Sequence, residues 1–432
     1  MTDIDPNAKL YSVRFKEKDK RINQRDDKLE ILRRIIDLKD TNNILDLIKE
    51  SQRTRLSENK NNPNMAKDHK TIVDINLYDI PSIHIKLTDE QVSRLRRHPD
   101  IRWVEESGVA HIAAETTPWG ITRVQADSLT PATRHRGYGV KVCVIDTGIN
   151  YNHVDLKPNY KGGASFVPGI TDPMDDNKLV ETSGGQTAPV YHGTHCSGTI
   201  CAAANNSVVV GVAPECWLYA AKALDTNGSG QFLWLAQAML WADQNDFDIL
   251  SMSLSSLTSN QDEADAAQKC YNNGRFIAAA AGNDGKREPS FPAGNAGVFA
   301  VGAVDQTDTK ASFSQWFNVG YVDFVAPGVG ILSDTGGTGN PSTTGTRTLD
   351  GTSQATPHIA GLAAIAYANY RFSPCDTNVY PPNQTKIIQI VGAMISSCDT
   401  LGQTTAGVAS EMYGFGMPQA LRLTQLLTGT SS

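Results

Sequence analysis

The chain has 432 residues, 40 % of them apolar and 20 % charged, with 39 Lys+Arg against 46 Asp+Glu and a formal net charge of −7. That is the balance of a globular protein long enough for two or three domains. It excludes several classes. No run of about 18 apolar residues predicts a membrane-spanning helix, and no basic patch with interleaved aromatics points to nucleic acid. Seven cysteines (Cys143, Cys196, Cys201, Cys216, Cys270, Cys375, Cys398) are too sparse for a disulfide scaffold. Their odd number leaves at least one free or paired with another molecule.

Charge divides the chain. Residues 1–113 carry 22 Lys+Arg and 20 Asp+Glu, whereas the remainder carries 17 and 26. In chain order, Leu10–Phe15 reads as extended, and Leu29, Leu32, Ile35, Ile36, Leu38, Leu45 and Ile48 recur near helical spacing from about 27 to 55. The Asn-rich SENKNNPNMAKDHK is a loop. Ile72–Ile80 and Ser82–Leu87 alternate as strands, Thr88-Asp89-Glu90-Gln91 opens a helix in capping-box style, and Ile101–Val104 closes as a strand. This β-α-β-β-α-β order predicts a small α+β domain.

The body reads differently. Gly139–Ile145, Leu218–Ala223, Asp248–Ser253, Phe276–Ala281, Phe299–Val304 and Val322–Val325 are short, near-continuous apolar runs. Helical patterns such as FLWLAQAMLWADQ and DEADAAQKCYNN lie between them. Strands buried on both faces and alternating with helices predict an α/β fold, a parallel sheet with helices on both faces. Sites in such sheets form at the carboxyl ends of strands, where Asp146 and Asn283 fall.

The stretch LDGTSQATPHIAG places Ser353 at the start of an apolar helix. A serine hydroxyl is a weak nucleophile unless a base takes its proton and a carboxylate orients that base. His192 (YHGTHCSG) is the candidate base and Asp146 (VIDTG) the candidate orienter. Acyl transfer also needs donors aimed at a developing oxyanion. The Asn283 amide (AAAAGND) and the Ser353 backbone N–H are the candidates. Each residue alone is ordinary, and their joint occurrence carries the argument.

VIDTG, HGTHCSGT, AAGN and GTSQATPHIAG resemble the four signature segments of subtilisin-like serine proteases, and similarity runs on through GASFVPG, NNSVVVGVAP, DTNGSGQ, AVGAV and VAPG. HGTHC, with Cys196, is closer to the proteinase K branch. The resemblance implies a serine endopeptidase working through an acyl-enzyme, with Asp146 orienting, His192 as base then acid, Ser353 attacking and Asn283 holding the oxyanion. His195 matches the motif's structural histidine. Residues 1–113 resemble the family's inhibitory propeptide, which implies a self-processed zymogen whose peptidase domain spans 114–432. Its partners would be protein or peptide substrates and its own propeptide, with the enzyme a monomer. The substrate-binding segments match Gly228, Ser229 and Gly230 with Ser253, Leu254 and Ser255. Ser255 stands where the family has Gly, and Ser290 falls near the pocket floor. A structural calcium site matches the side chains of Glu115, Asp155 and Asn205 and the carbonyls of Ala203, Ser207 and Val209, with Val208 at a usual Gly position.

Two alternatives remain open on the sequence. One is a non-catalytic or permanently propeptide-inhibited relative that binds or regulates, which the intact triad opposes. The other is an α/β-hydrolase esterase, opposed because GTSQA lacks the second Gly of G-x-S-x-G. Calcium and a propeptide point to an extracellular, vesicular or vacuolar life. The start MTDIDPNAKLYSVRFKEKDK has no apolar core, which points to the cytoplasm.

Overall fold

The structure, a computed structural model, describes residues 9–15, 74–75, 82–106, 115–129, 136–183, 186–337, 340–371, 383–401 and 405–429. The chain divides into two compact units, Met1–Ile112 and Ala113–Ser432.

In the first unit, strands β1 (Lys9–Phe15), β2 (Asp74–Ile75), β3 (Ser82–Leu87) and β4 (Ile101–Glu106) form an antiparallel sheet in the order β2-β3-β1-β4. The helix Asp89–Arg96 starts with the expected reciprocal cap. Gln91 N–H donates to Thr88 Oγ1, and Thr88 N–H donates to Gln91 Oε1. Val92 and Leu95 from that helix are buried, as are Tyr11, Val13, Leu87, Ile101 and Val104. The expected helix over 27–55, the Asn-rich loop and most of Ile72–Ile80 lie outside the described residues.

In the second unit, seven parallel strands run in the order β13-β12-β11-β10-β5-β9-β6. They are β5 (Lys141–Asp146), β6 (Tyr160–Ser165), β9 (Trp217–Lys222), β10 (Ile249–Met252), β11 (Phe276–Ala280), β12 (Phe299–Val304) and β13 (Phe324–Pro327). Two antiparallel hairpins, β7–β8 (Val180–Ser183 and Gln186–Pro189) and β14–β15 (Ile331–Gly337 and Asn340–Leu349), complete the numbering used below. Helices cover both faces of the sheet. Phe232–Gln244 and Gln261–Asn272 pack together, and His192–Cys201 packs against Thr352–Arg371.

The apolar runs become strands with small shifts at their ends. Gly139 takes a left-handed φ of 72°, so β5 starts two residues later than the run suggests. The sequence reading missed β6 (YKGGAS) and both hairpins, because Gly, Ser and Thr in these strands show no apolar run.

The long helix Thr352–Arg371 is buried nearly throughout, and its alanines let it lie close against the sheet. Pro357 sits inside it. Lacking an N–H, Pro357 cannot bond the carbonyl four residues back, which is that of Ser353. The Ser353 carbonyl instead accepts the Ser253 hydroxyl at 2.9 Å and the Cys196 thiol at 3.5 Å. A helix defect thus ties the start of this helix to the end of β10 and to the His192 helix.

Candidate active site

Asp146 is the last residue of β5, the strand between β9 and β10. It is fully buried, its carbonyl accepts the N–H groups of Ala223 and Leu224, and its Oδ1 accepts the Thr147 N–H at 2.7 Å. The backbone of Asp146 is thereby tied to the residues after β9, and its carboxylate to the Thr147 N–H. Its two oxygens lie 2.8 and 2.9 Å from Nδ1 of His192, so that nitrogen is the protonated one and Nε2 carries the free lone pair.

His192 opens the helix His192–Cys201, and Tyr191 before it holds a left-handed backbone (φ 50°), at a cost of about 1–2 kcal/mol. A β-carbon on the next residue, Gly193, would run into the Gly148 carbonyl, so only glycine allows the helix this close to β5. The motif reading missed Asp175, which joins the two. Its buried carboxylate accepts Thr147 Oγ1, Thr194 N–H and Thr194 Oγ1, while Thr147 Oγ1 accepts the Gly193 N–H. Burial pushes the Asp175 pKa up to about 6, although hydrogen bonds from Thr194 and Asn177 oppose that rise.

The His192 side chain is 20 % exposed. Burial pulls its pKa down, but the Asp146 charge and hydrogen bond together with Cys196 outweigh it. The net position is well above the ordinary imidazole value. His195 behaves oppositely, as the motif predicts of a structural histidine. Its Nε2 faces the carbonyls of Ile331 and Arg347, and burial drives its pKa down to about 3.

Ser353 is the second residue of its helix, so its N–H is one of the unpaired donors at that terminus. Its hydroxyl donates to the Ser253 carbonyl at 3.1 Å. The Cys196 sulfur lies 3.5 Å from the Ser353 carbonyl and 4.0 Å from His192 Nδ1, which brings Ser353 and His192 to either side of one thiol. Asn283 follows β11, and its Oδ1 accepts both the N–H and the hydroxyl of Thr352. Its amide NH₂ is left as a donor beside the helix start. Asp146, His192, Ser353 and Asn283 therefore converge from four separate elements.

The segments Gly228-Ser229-Gly230 and Ser253-Leu254-Ser255 follow β9 and β10, the two neighbours of β5, so they flank Asp146 at the carboxyl edge. Ser229, Gly230 and Ser255 are exposed. Ser256 and Phe291 exchange N–H···O bonds at 2.8 Å, which carries the second segment to Ser290. Ser290 is buried, and its hydroxyl donates to Ala281, two residues before Asn283. This assembly can hold an extended peptide and carry out acyl transfer at one carbonyl.

The calcium candidates also gather. Glu115 Oε1 accepts the N–H groups of Asn205 and Asn206, Asn205 Oδ1 accepts that of Ser207, and Asp155 accepts those of Val208 and Val209. Around this loop the Ala202 and Val208 carbonyls take the Gly211 and Thr116 N–H groups. Those of Ala203, Ser207 and Val209 belong to the same turn, and an all-oxygen set of carboxylates, an amide and carbonyls suits a hard cation.

The chain is similar in sequence to known proteins. The Subtilase family model matches residues 137–416. The alkaline protease of Alkalihalobacillus alcalophilus is 39 % identical over 345 residues, 79 % of this chain and 78 % of that one. Alkaline elastase YaB of a Bacillus species is 39 % identical over 345 residues, 79 % of each chain. Subtilisin E of Bacillus subtilis is 40 % identical over 292 residues, 66 % of this chain and 70 % of that one. This chain belongs to the subtilase family.

Proposed function

We propose that the protein is a serine endopeptidase that hydrolyses peptide bonds through an acyl-enzyme. The bidentate approach of the Asp146 carboxylate to His192 Nδ1, at 2.8 and 2.9 Å, carries this reading, because it leaves Nε2 as the acceptor. The Ser353 hydroxyl turns from the Ser253 carbonyl to His192, which takes its proton as Oγ attacks the scissile carbonyl carbon. Negative charge collects on the carbonyl oxygen and is met by the Asn283 NH₂ and the Ser353 N–H. His192 then gives its proton to the leaving amine, and a water, deprotonated by His192, releases the acyl group and restores Ser353. The imidazolium in between is stabilised by Asp146. Substrate lies extended between Gly228–Gly230 and Ser253–Ser255.

Residues 1–113 act as an intramolecular inhibitor that the enzyme removes itself, by cutting between Ala113 and Ala114. The boundary between the two compact units, at Ile112 and Ala113, lies beside that bond. Calcium, held by Glu115, Asp155, Asn205 and the carbonyls of Ala203, Ser207 and Val209, would supply a structural cross-link and no chemistry. N-terminal sequencing tests this reading. The unaltered chain yields residues 114–432 and Ser353→Ala stays full length. A different mature start, or equal cutting of Ser353→Ala, overturns self-processing at this bond.

A further inference from the structure

Behind the calcium loop, in the turn after β5, lie His153 and Asp155, and β14 brings Asp334 to them. All three side chains are fully buried, and one ligand atom from each lies within 4.8 Å of the others. Their partners do not account for them. His153 Nε2 is 3.0 Å from the Gly345 carbonyl, an acceptor only, so the ring proton sits on Nε2 and Nδ1 holds a lone pair, which the Asp155 N–H reaches only at 3.4 Å. That lone pair faces Asp334 Oδ1 at 3.5 Å. Among the described residues neither oxygen of Asp334 has a hydrogen-bond donor. The third member, Asp155, accepts the backbone N–H groups of Val208 and Val209. Two carboxylates and an imidazole nitrogen thus gather in a buried site, and the Asp334 oxygens are the pair left without a donor among the described residues.

Two buried carboxylates a few ångströms apart repel strongly unless a positive charge lies between them. A divalent ion neutralises both. Two ligands at tetrahedral angles on bonds of about 2.0–2.1 Å stand roughly 3.4 Å apart, which matches the 3.5 Å from His153 Nδ1 to Asp334 Oδ1. The carbonyl that fixes the His153 tautomer is the outer partner usual for a metal-bound imidazole. We propose that His153 Nδ1, Asp155 and Asp334 form a second cation site, taking a first-row divalent ion of the zinc type. One imidazole nitrogen with two carboxylates suits such an ion better than calcium, which favours six or more oxygens. The ion would cross-link the turn after β5 to the β14–β15 hairpin, which also meet where Val154 N–H donates to Thr343 O at 2.8 Å.

Because Asp155 also belongs to the proposed calcium loop, the test keeps calcium saturating throughout. The full chain carrying Ser353→Ala, which cannot digest itself, is stripped with chelator, returned to calcium, and equilibrated with zinc. Metal analysis should find one zinc per chain, and Asp334→Asn and His153→Gln should each weaken zinc binding by about 10- to 100-fold or more. The calcium-dependent rise in melting temperature should persist in Asp334→Asn. Cobalt in place of zinc should give a visible absorption band that Asp334→Asn abolishes. Should either variant fail to fold, zinc stoichiometry and the cobalt band of the parent chain decide. If the parent chain binds no zinc, or binds it as well with Asp334→Asn, the site is wrong. Asp155 and Asp334 would then be held by a shared proton.

Discussion

Thr352 holds Asn283 by its amide oxygen: the Thr352 N–H at 2.9 Å and its hydroxyl at 2.8 Å both donate to Asn283 Oδ1. An amide gripped this way cannot flip, so its NH₂ end stays turned toward the mouth of the helix that carries Ser353. Asn283→Ala should lower kcat by about 10²–10³ with KM little changed, the scale known for removing one oxyanion donor from subtilisin itself. Thr352→Val keeps the N–H but loses the hydroxyl, and should lower kcat by about 10-fold. Steady-state kinetics on a peptide ester would check both. A raised KM with kcat unchanged would assign Asn283 to ground-state binding instead.

The pH dependence follows from His192. The proposed base works only when neutral, and its pKa lies above the ordinary imidazole value because Asp146, together with Cys196, outweighs burial. Activity should therefore rise with pH on a one-proton limb displaced to the alkaline side. Asp146→Asn should lower kcat by about 10⁴ and move the remaining limb toward acid. Stability runs the other way. The contribution from the raised His192 pKa is fully present below the unfolded imidazole value and is lost as pH rises through the folded one. A pH–rate profile whose limb does not move in Asp146→Asn would contradict this account.

Gln354, buried directly after Ser353, stands where the resemblance to subtilisin-like proteases implies a Met. Peroxide turns that Met into a bulkier, polar sulfoxide beside the oxyanion donors, a reaction closed to Gln. Under peroxide the unaltered chain should keep activity at doses that silence Gln354→Met. Its weak point should be Cys196, buried one helical turn from His192 and within 4.0 Å of its ring. Mercurials should inactivate the unaltered chain and spare Cys196→Ala. Matching peroxide losses in the first pair, or matching mercury losses in the second, would remove the respective argument.

Calcium removal should lower the melting temperature by an amount set by calcium concentration, since a ligand that binds only the folded state stabilises it by mass action. Glu115→Gln, which leaves the His153 cluster intact, should reduce that dependence. A melting temperature unchanged by chelator would remove the loop site.

Much of this was legible in the sequence because the chemistry rests on short local signals. The apolar run of β5 delivers Asp146 to a strand end, and Gly351-Thr352-Ser353 marks a helix mouth. What the sequence hid is held by contacts between distant segments. Asp175 and Asp334 look like ordinary loop and strand acids, 29 and 188 residues from Asp146, until folding buries them against Thr194 and His153. The polar strands of β14–β15 carry no periodic apolar pattern, so the partner that Asp155 meets could not be read from spacing. Pro357 was visible, yet its effect on the Ser353 carbonyl depends on Ser253 and Cys196 arriving from other elements.

The most direct test of the central claim is covalent labelling of the matured protein with a fluorophosphonate, read by intact mass and peptide mapping alongside casein hydrolysis. The account predicts one adduct per chain, on Ser353 alone, formed in step with complete loss of hydrolysis and absent from Ser353→Ala and strongly slowed in His192→Ala. Casein hydrolysis that survives full labelling of Ser353, or a chain that neither labels nor hydrolyses after the first 113 residues are removed, would contradict it.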